Sequence, residues 1–380
     1  MKRMKIAHVA PLFEAVPPRL YGGTERIVSY LCDGLADRGH EVTLFASSDS
    51  ATRARLAPCR ETALRLDPRP LTSAIAAHLS MLDEVRRRAD EFDLIHFHLS
   101  HFQHFPFFEH CPEKTVTTPH GRLDYSDLPG ALARWPDFPF ISISLRQRRP
   151  LPAANWVGNV YHGLPLAHFP MPPPRSSSTE PYLAFLGRLS RDKRPDRAIE
   201  TARRSGLPLR IAAKVGADDR AYFHDEIEPL IDGEKVVYVG EVGETEKADF
   251  LQGAAALLFP IDWPEPFGLV VIEAMAFGTP VIAWNEGAMP EIVDDGVSGF
   301  IVDSVDAAVA RVGELGRLDR NEIRAVFERR FSAERMIDDY EAVYALLLAD
   351  SAASPQARPR PFGQNIAASR VNGSRHAPPE

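Results

Sequence analysis

WPEPFGLVVIEAMAFGTPVIAWNEGAMPEIVDDGVSGFI, residues 263–301, holds a Pro-Glu-Pro turn, an apolar segment, a Gly-Thr-Pro break at 278–280, a short strand-like run and an acidic loop. That order predicts loop, helix, strand, loop. Pro266 cannot donate a backbone hydrogen bond and its fixed φ suits a helix start, so a helix is expected from Phe267 or Gly268 with its first amides unpaired. Such an end attracts anions, and Gly268 would let a phosphate or a sugar hydroxyl come close to the backbone. Glu265 and Glu273 stand eight residues apart, one ahead of the helix and one expected about two turns into it. They do not form an i, i+4 carboxylate pair for a metal, so each needs its own role.

Working outward, 380 residues are too many for one ordinary domain, and two domains of roughly 150 to 200 residues are expected. A net charge of −8 argues against a general nucleic-acid binder, which needs clustered positive charge. Cys32, Cys59 and Cys111 are few, odd in number and far apart, which suggests neither a disulfide framework nor a zinc site and fits a reducing interior. The run before Pro11 is too short for a signal peptide, and no window approaches ~18 consecutive apolar residues. A cytoplasmic protein is expected, with peripheral contact at a membrane left open.

Lys5–Ala10 reads as a buried first strand, followed by a loop containing Gly22-Gly23 and a helix over 24–38 with Thr24 as its cap and Gly39 as its stop. With the strand Glu41–Ala46 this makes a βαβ unit, Rossmann-like but without G-x-G-x-x-G. Residues 72–92 read as a charged helix and Asp93–His98 as a strand. The segment after it holds His96, His98, His101 and His104; no carboxylate pattern supplies second-shell support, so partly buried histidines are expected rather than a metal. Lys114–Thr118 is a further strand, and His120-Gly121 follows it at the carboxyl edge of the sheet, where open α/β proteins bind ligands. Arg146, Arg148 and Arg149 read as a solvated helix start.

Residues 169–181, FPMPPPRSSSTEP, mark a linker, and Tyr182–Leu186 restarts a second array of strands. Gly187, Arg188 and Lys193 lie in the turn between that strand and the next helix. Two cations beside a helix start make a diphosphate site, because a leaving nucleoside diphosphate carries charge that must be neutralised. Arg191 and Arg194 are expected to be surface charges. Glu241 follows the strand Val236–Val239. Residues 332–348 are amphipathic at helical spacing, and the Pro-, Ser- and Arg-rich stretch from 351 is expected to be disordered.

These motifs resemble the retaining glycosyltransferases of family 4: Glu265 to Glu273 as E-x7-E, Gly278 to Val281, Glu291 to Val293, His120-Gly121, and Gly187-Arg188 with Lys193. The resemblance covers most of residues 4–350. It departs at His162-Gly163, where the family usually has Asn-Gly. It implies the GT-B arrangement, α/β with two Rossmann-like domains facing across a cleft: 1–168 on the acceptor side, 182–331 holding a nucleotide-sugar, and a helix over 332–350 packing back on the first domain. It further implies diphosphate contacts from Arg188 and Lys193, sugar contacts from Glu265 with the amides of Phe267 and Gly268, and ribose contacts from Glu273. Glu241 would lie near the base, Gly22 and Gly23 near the diphosphate and the acceptor, and His120 beside the donor sugar. UDP or GDP would be the nucleotide, a substrate rather than a cofactor, and no metal would be required. The acceptor is open among glycans, lipids and small molecules. An epimerase or a non-catalytic nucleotide-sugar binder on the same scaffold stays open as an alternative.

Overall fold

The computed structural model of the protein describes residues 3–19, 22–69, 71–170 and 180–353. Two wholly parallel sheets carry the chain. The first contains β1 (Lys5–Val9), β2 (Glu41–Ser47), β3 (Arg55–Arg60), β4 (Leu94–Phe97), β5 (Thr115–Thr117), β6 (Pro139–Ser142) and β7 (Asn155–Asn159). Its order is β3-β2-β1-β4-β5-β6-β7. The second contains β8 (Tyr182–Arg188), β9 (Leu209–Lys214), β10 (Val236–Gly240), β11 (Ala254–Phe259), β12 (Val281–Trp284) and β13 (Gly299–Val302), in the order β10-β9-β8-β11-β12-β13.

Inner strands such as LIHF and VIAW are buried throughout, because helices cover both faces of a parallel sheet. In both sheets the order reverses beside the first strand, between β1 and β4 and between β8 and β11. The crevice outside the carboxyl ends of the strands at that point is where such sheets take ligands.

The chain passes between the sheets twice, and the two passages touch. Leu164 N–H donates to Phe331 O at 2.9 Å and Ala333 N–H to Leu164 O at 2.9 Å. The helix Ala333–Ala353 then returns to the first domain and buries Met336, Ile337, Tyr340, Val343 and Tyr344 in one core with Ile6, Leu31 and Leu44. Gly34 makes this possible, since a Cβ there would stand 2.1 Å from Ile337 Cδ1. His40 and Arg38 fasten the same helix through Glu341, at 2.8 and 2.6 Å.

Several expectations need correcting. The first helix is Gly23–Asp37 with Gly22 at its cap, so Thr24 lies inside the first turn and does not cap it. The helix after the Pro-Glu-Pro turn begins at Leu269, which puts Glu273 little more than one turn in. None of the four histidines at 96–104 is partly buried: His96, within β4, and His98 and His104 are wholly enclosed, and His101 is exposed. The linker at 171–179 and the tail from 354 lie outside the described residues. Among the described residues, no helix is long and apolar enough to cross a membrane.

Candidate active site

The helix Leu269–Ala276 is the centre of the site. Gly268 caps it with φ of 89°, a left-handed conformation that glycine adopts without strain, and a Cβ there would stand 2.9 Å from Met289 Cε. Facing it across the interdomain crevice is the start of the Gly23–Asp37 helix: a Cβ on Gly23 would lie 3.3 Å from Leu269 Cδ1. Two helix N-termini, each bearing roughly half a positive charge, thus meet at one place. Gly22 lies against Pro18 and the carboxylate of Glu25.

Ion pairs surround this helix. Lys193 forms one with Glu265, both largely buried, and its ammonium lies 4.8 Å from the centre of the Trp263 ring. Arg188, at the end of β8, keeps 46% of its side chain exposed and stands 3.8 Å from Asp192. Gly187 beside it has open space where a side chain would go. Glu273 is 3% exposed and accepts from Arg26 Nη1 at 2.6 Å and Lys247 Nζ at 2.8 Å. Arg26 comes from the first domain, so this contact spans the crevice. Around the helix start, four cations (Arg26, Lys193, Arg188, Lys247) meet three carboxylates (Glu265, Glu273, Asp192). The two helix starts favour an anion at this place.

Other expected residues are spread more widely. Phe267 is buried and packs its ring 4.8 Å from that of His162. His120 accepts from or donates to His98 at 2.9 Å and stacks on His162, 5.1 Å between ring centres. The path from β5 to Phe267 therefore runs through His162, the position that departs from the family pattern. Burial holds the His120 pKa down at about 3, so its ring is neutral. Glu241 is exposed in the loop after β10, the outermost strand of its sheet, and is not gathered with the others.

Sequence reasoning missed Arg26, Lys247 and Glu291 as contacts. Glu291 accepts from the backbone N–H of Leu145 at 2.8 Å and of Arg146 at 2.6 Å, and from the Tyr161 hydroxyl at 3.2 Å. A carboxylate of the second domain thereby caps a turn of the first. Ser144 Oγ adds a bond to Pro266 O at 2.7 Å. The basic run at 146–149 is not simply solvated, since Arg148 Nε donates to Ser142 Oγ at 2.7 Å and its guanidinium lies over Trp156. Arg194 is likewise no idle surface charge: it takes a left-handed backbone at φ 51° and joins Asp196 to Asp262.

The model of Glycosyltransferase Family 4 matches residues 21–157, and that of Glycosyl transferases group 1 matches residues 171–327. A D-inositol 3-phosphate glycosyltransferase of Nocardia farcinica is 32% identical over 190 residues, 43% of this chain and 41% of that protein. An alpha-maltose-1-phosphate synthase of Mycolicibacterium smegmatis is 30% identical over 143 residues, 35% of this chain and 37% of that one. The match thus spans less than half the length of these relatives. Among solved structures, AviGT4, a glycosyltransferase involved in Avilamycin A biosynthesis, superposes with a TM-score of 0.65 at 24% identity, covering 91% of this chain and 98% of that one. Anabaena HepE in complex with UDP and glucose gives 0.70 at 16%, covering 90% and 100%. These structural likenesses carry the fold, two Rossmann-like domains in the GT-B arrangement. With one family model on each domain, the chain belongs to the family 4 glycosyltransferases of group 1.

Proposed function

We propose that the protein transfers a glycosyl unit from a nucleoside-diphosphate sugar, with UDP or GDP as the nucleotide, to a glycan, lipid or small-molecule acceptor, with retention of configuration and without a metal at the diphosphate. One observation carries this reading: Lys193, Glu265 and the glycine-capped start of the Leu269–Ala276 helix are assembled side by side, with Arg188 on the neighbouring strand end. Cations and helix amides placed where charge develops on a departing diphosphate lower the barrier most, because they need no rearrangement during the reaction.

In this reading Arg188 and Lys193 take the diphosphate, Glu265 the transferred sugar with the amides of Phe267 and Gly268, and Glu273 the ribose. The leaving group departs through an oxocarbenium-like state, and the acceptor, entering past Gly22, Gly23 and His120, attacks on the same face. Closure of the two domains keeps water out. The capture of UDP in the HepE structure is in keeping with such a donor.

The test is incubation of the purified chain with a panel of UDP- and GDP-sugars and an acceptor pool, with the anomeric configuration of the product read by NMR. Transfer with retention is expected, and Arg188→Ala should cost at least ~2 kcal/mol in kcat/KM, the scale of one lost charge-assisted contact. Isomerised donor in the absence of acceptor, or nucleotide binding with no turnover, would replace this reading with an epimerase or a binding protein.

A further inference from the structure

The backbone on either side of His120 is held by one distant side chain. Gln147, buried in the short 3₁₀ turn Arg146–Arg148, donates from Nε2 to Pro119 O at 2.8 Å and to Gly121 O at 3.0 Å, and its Oε1 accepts from Ile143 N–H at 2.9 Å. Carbonyls only accept and a backbone N–H only donates, so these partners fix which end of the amide is which. Both amide protons thus go to the residues that flank His120. The imidazole between them is bracketed as well, with Nε2 2.9 Å from His98 Nδ1 and Nδ1 3.4 Å from His162 Nε2.

The turn that carries Gln147 is completed by the second domain. A 3₁₀ turn leaves its first amides without partners inside itself, and since the first internal bond here runs from Arg148 N–H to Leu145 O, those are the amides of Leu145, Arg146 and Gln147. Glu291 accepts the first two at 2.8 and 2.6 Å, and Ser144 Oγ accepts the third at 3.1 Å. Ser144 is wholly buried, and its hydroxyl proton goes to Pro266 O at 2.7 Å. Pro266 stands between Glu265 and Phe267. A continuous run of hydrogen bonds therefore leads from the backbone around His120, through Gln147 and Ser144, across the crevice to the turn that holds Glu265.

We propose that Gln147 and Ser144 are positioning residues that couple domain closure to the placement of His120, an inference that rests on the transfer reading given above. With the domains apart, Glu291 and Pro266 withdraw, two amides and the Ser144 hydroxyl lose their partners, and the turn loosens. Gln147 then releases Pro119 and Gly121. With the domains together, the acceptor-side His120 and the donor-side Glu265 are set at a fixed separation, so the loop beside the sugar is ordered only when the diphosphate site faces it. Both residues act through the backbone of their partners, and orientation of this kind governs rate because small misplacements of reacting groups are costly.

Two measurements on the full chain test this. The first needs no donor. In protein labelled with ¹⁵N-glutamine, the side-chain amide of Gln147 should exchange its protons slowly with solvent. Glu291→Ala and Ser144→Ala remove no bond of that amide, yet each should speed its exchange at least about tenfold by loosening the turn. Exchange as slow as wild type in both variants overturns the coupling. The second uses a nucleotide-sugar that the wild type turns over. Gln147→Met, close in size but without the amide, should lower kcat about tenfold or more and keep KM for the donor within about twofold, because the nucleotide is gripped by the second domain. Gln147→Glu should regain activity relative to wild type as pH falls, since only a protonated carboxyl can donate to a carbonyl, and Gln147→Met should not. Wild-type kcat in folded Gln147→Met, or a loss that lies in KM alone, overturns the positioning role. Absence of turnover by the wild type with every donor defeats the transfer reading instead, and the exchange measurement still decides whether closure reaches Gln147.

Discussion

Arg26 of the first domain donates to Glu273 of the second at 2.6 Å, so the carboxylate expected to hold a ribose is already held by a cation from across the crevice. Lys247 shares the same oxygen at 2.8 Å. A donor that reaches Glu273 must therefore enter an existing network, and Arg26 links donor binding to the relative position of the domains.

Removing Arg26 leaves Glu273 with Lys247, so the loss is smaller than for a carboxylate stripped of every partner. Arg26→Ala should cost about 1–2 kcal/mol in chemical denaturation. A double-mutant cycle with Glu273→Gln should return a coupling of about 1 kcal/mol or more. Additive effects of the two changes would show that the pair is not energetically linked.

Glu291 gives a second handle on closure. In Glu291→Gln the amide nitrogen must face one of the backbone N–H groups of Leu145 or Arg146, replacing an acceptor by a donor. A loss of about 1.5–3 kcal/mol is expected, with a larger radius of gyration in solution scattering as the domains part. An unchanged scattering profile and stability would exclude Glu291 as an interdomain clasp.

Glu25 predicts a pH dependence. Burial raises its pKa from 4.5 to about 7, so between those values the folded protein binds a proton that the unfolded chain releases. Its contribution to stability is present below pH 4.5 and is lost as pH rises toward 7, a swing of about 3 kcal/mol. Glu25→Gln should therefore leave stability unchanged near pH 4 and raise it near pH 8. Equal differences at the two pH values, read by denaturation, would contradict this.

Gly163 marks where the two interdomain passages touch. A Cβ there would stand 2.2 Å from Ser332 O, a backbone atom that cannot swing aside. Gly163→Ala should cost about 1–3 kcal/mol by overpacking, measured as a lower denaturation midpoint. A wild-type midpoint would mean that the passages are loosely held.

The fold was legible because buried parallel strands are short apolar runs separated by glycine, proline and helical stretches, as in LLF at 257–259 and VIA at 281–283. Less legible were β3, an edge strand that carries Pro58, and β13, only four residues long. In the site, Lys193, Glu265 and Gly268 fall together because local chain order places them at one sheet edge. Arg26 and Glu291 could not be paired from sequence: their partners lie 247 and 130 or more residues away, and only the docking of two domains brings them close. His162 reads as a mere departure from a pattern until the fold sets its ring between His120 and Phe267.

Calorimetric titration of the wild-type chain and of Arg188→Ala with UDP and GDP tests most directly whether the second domain grips a nucleoside diphosphate. Wild-type protein should bind one of the two nucleotides, and the variant should bind it at least about tenfold more weakly, equivalent to about 1.4 kcal/mol. Equal affinities in the two proteins, or no binding of either nucleotide by the wild type, would contradict the account.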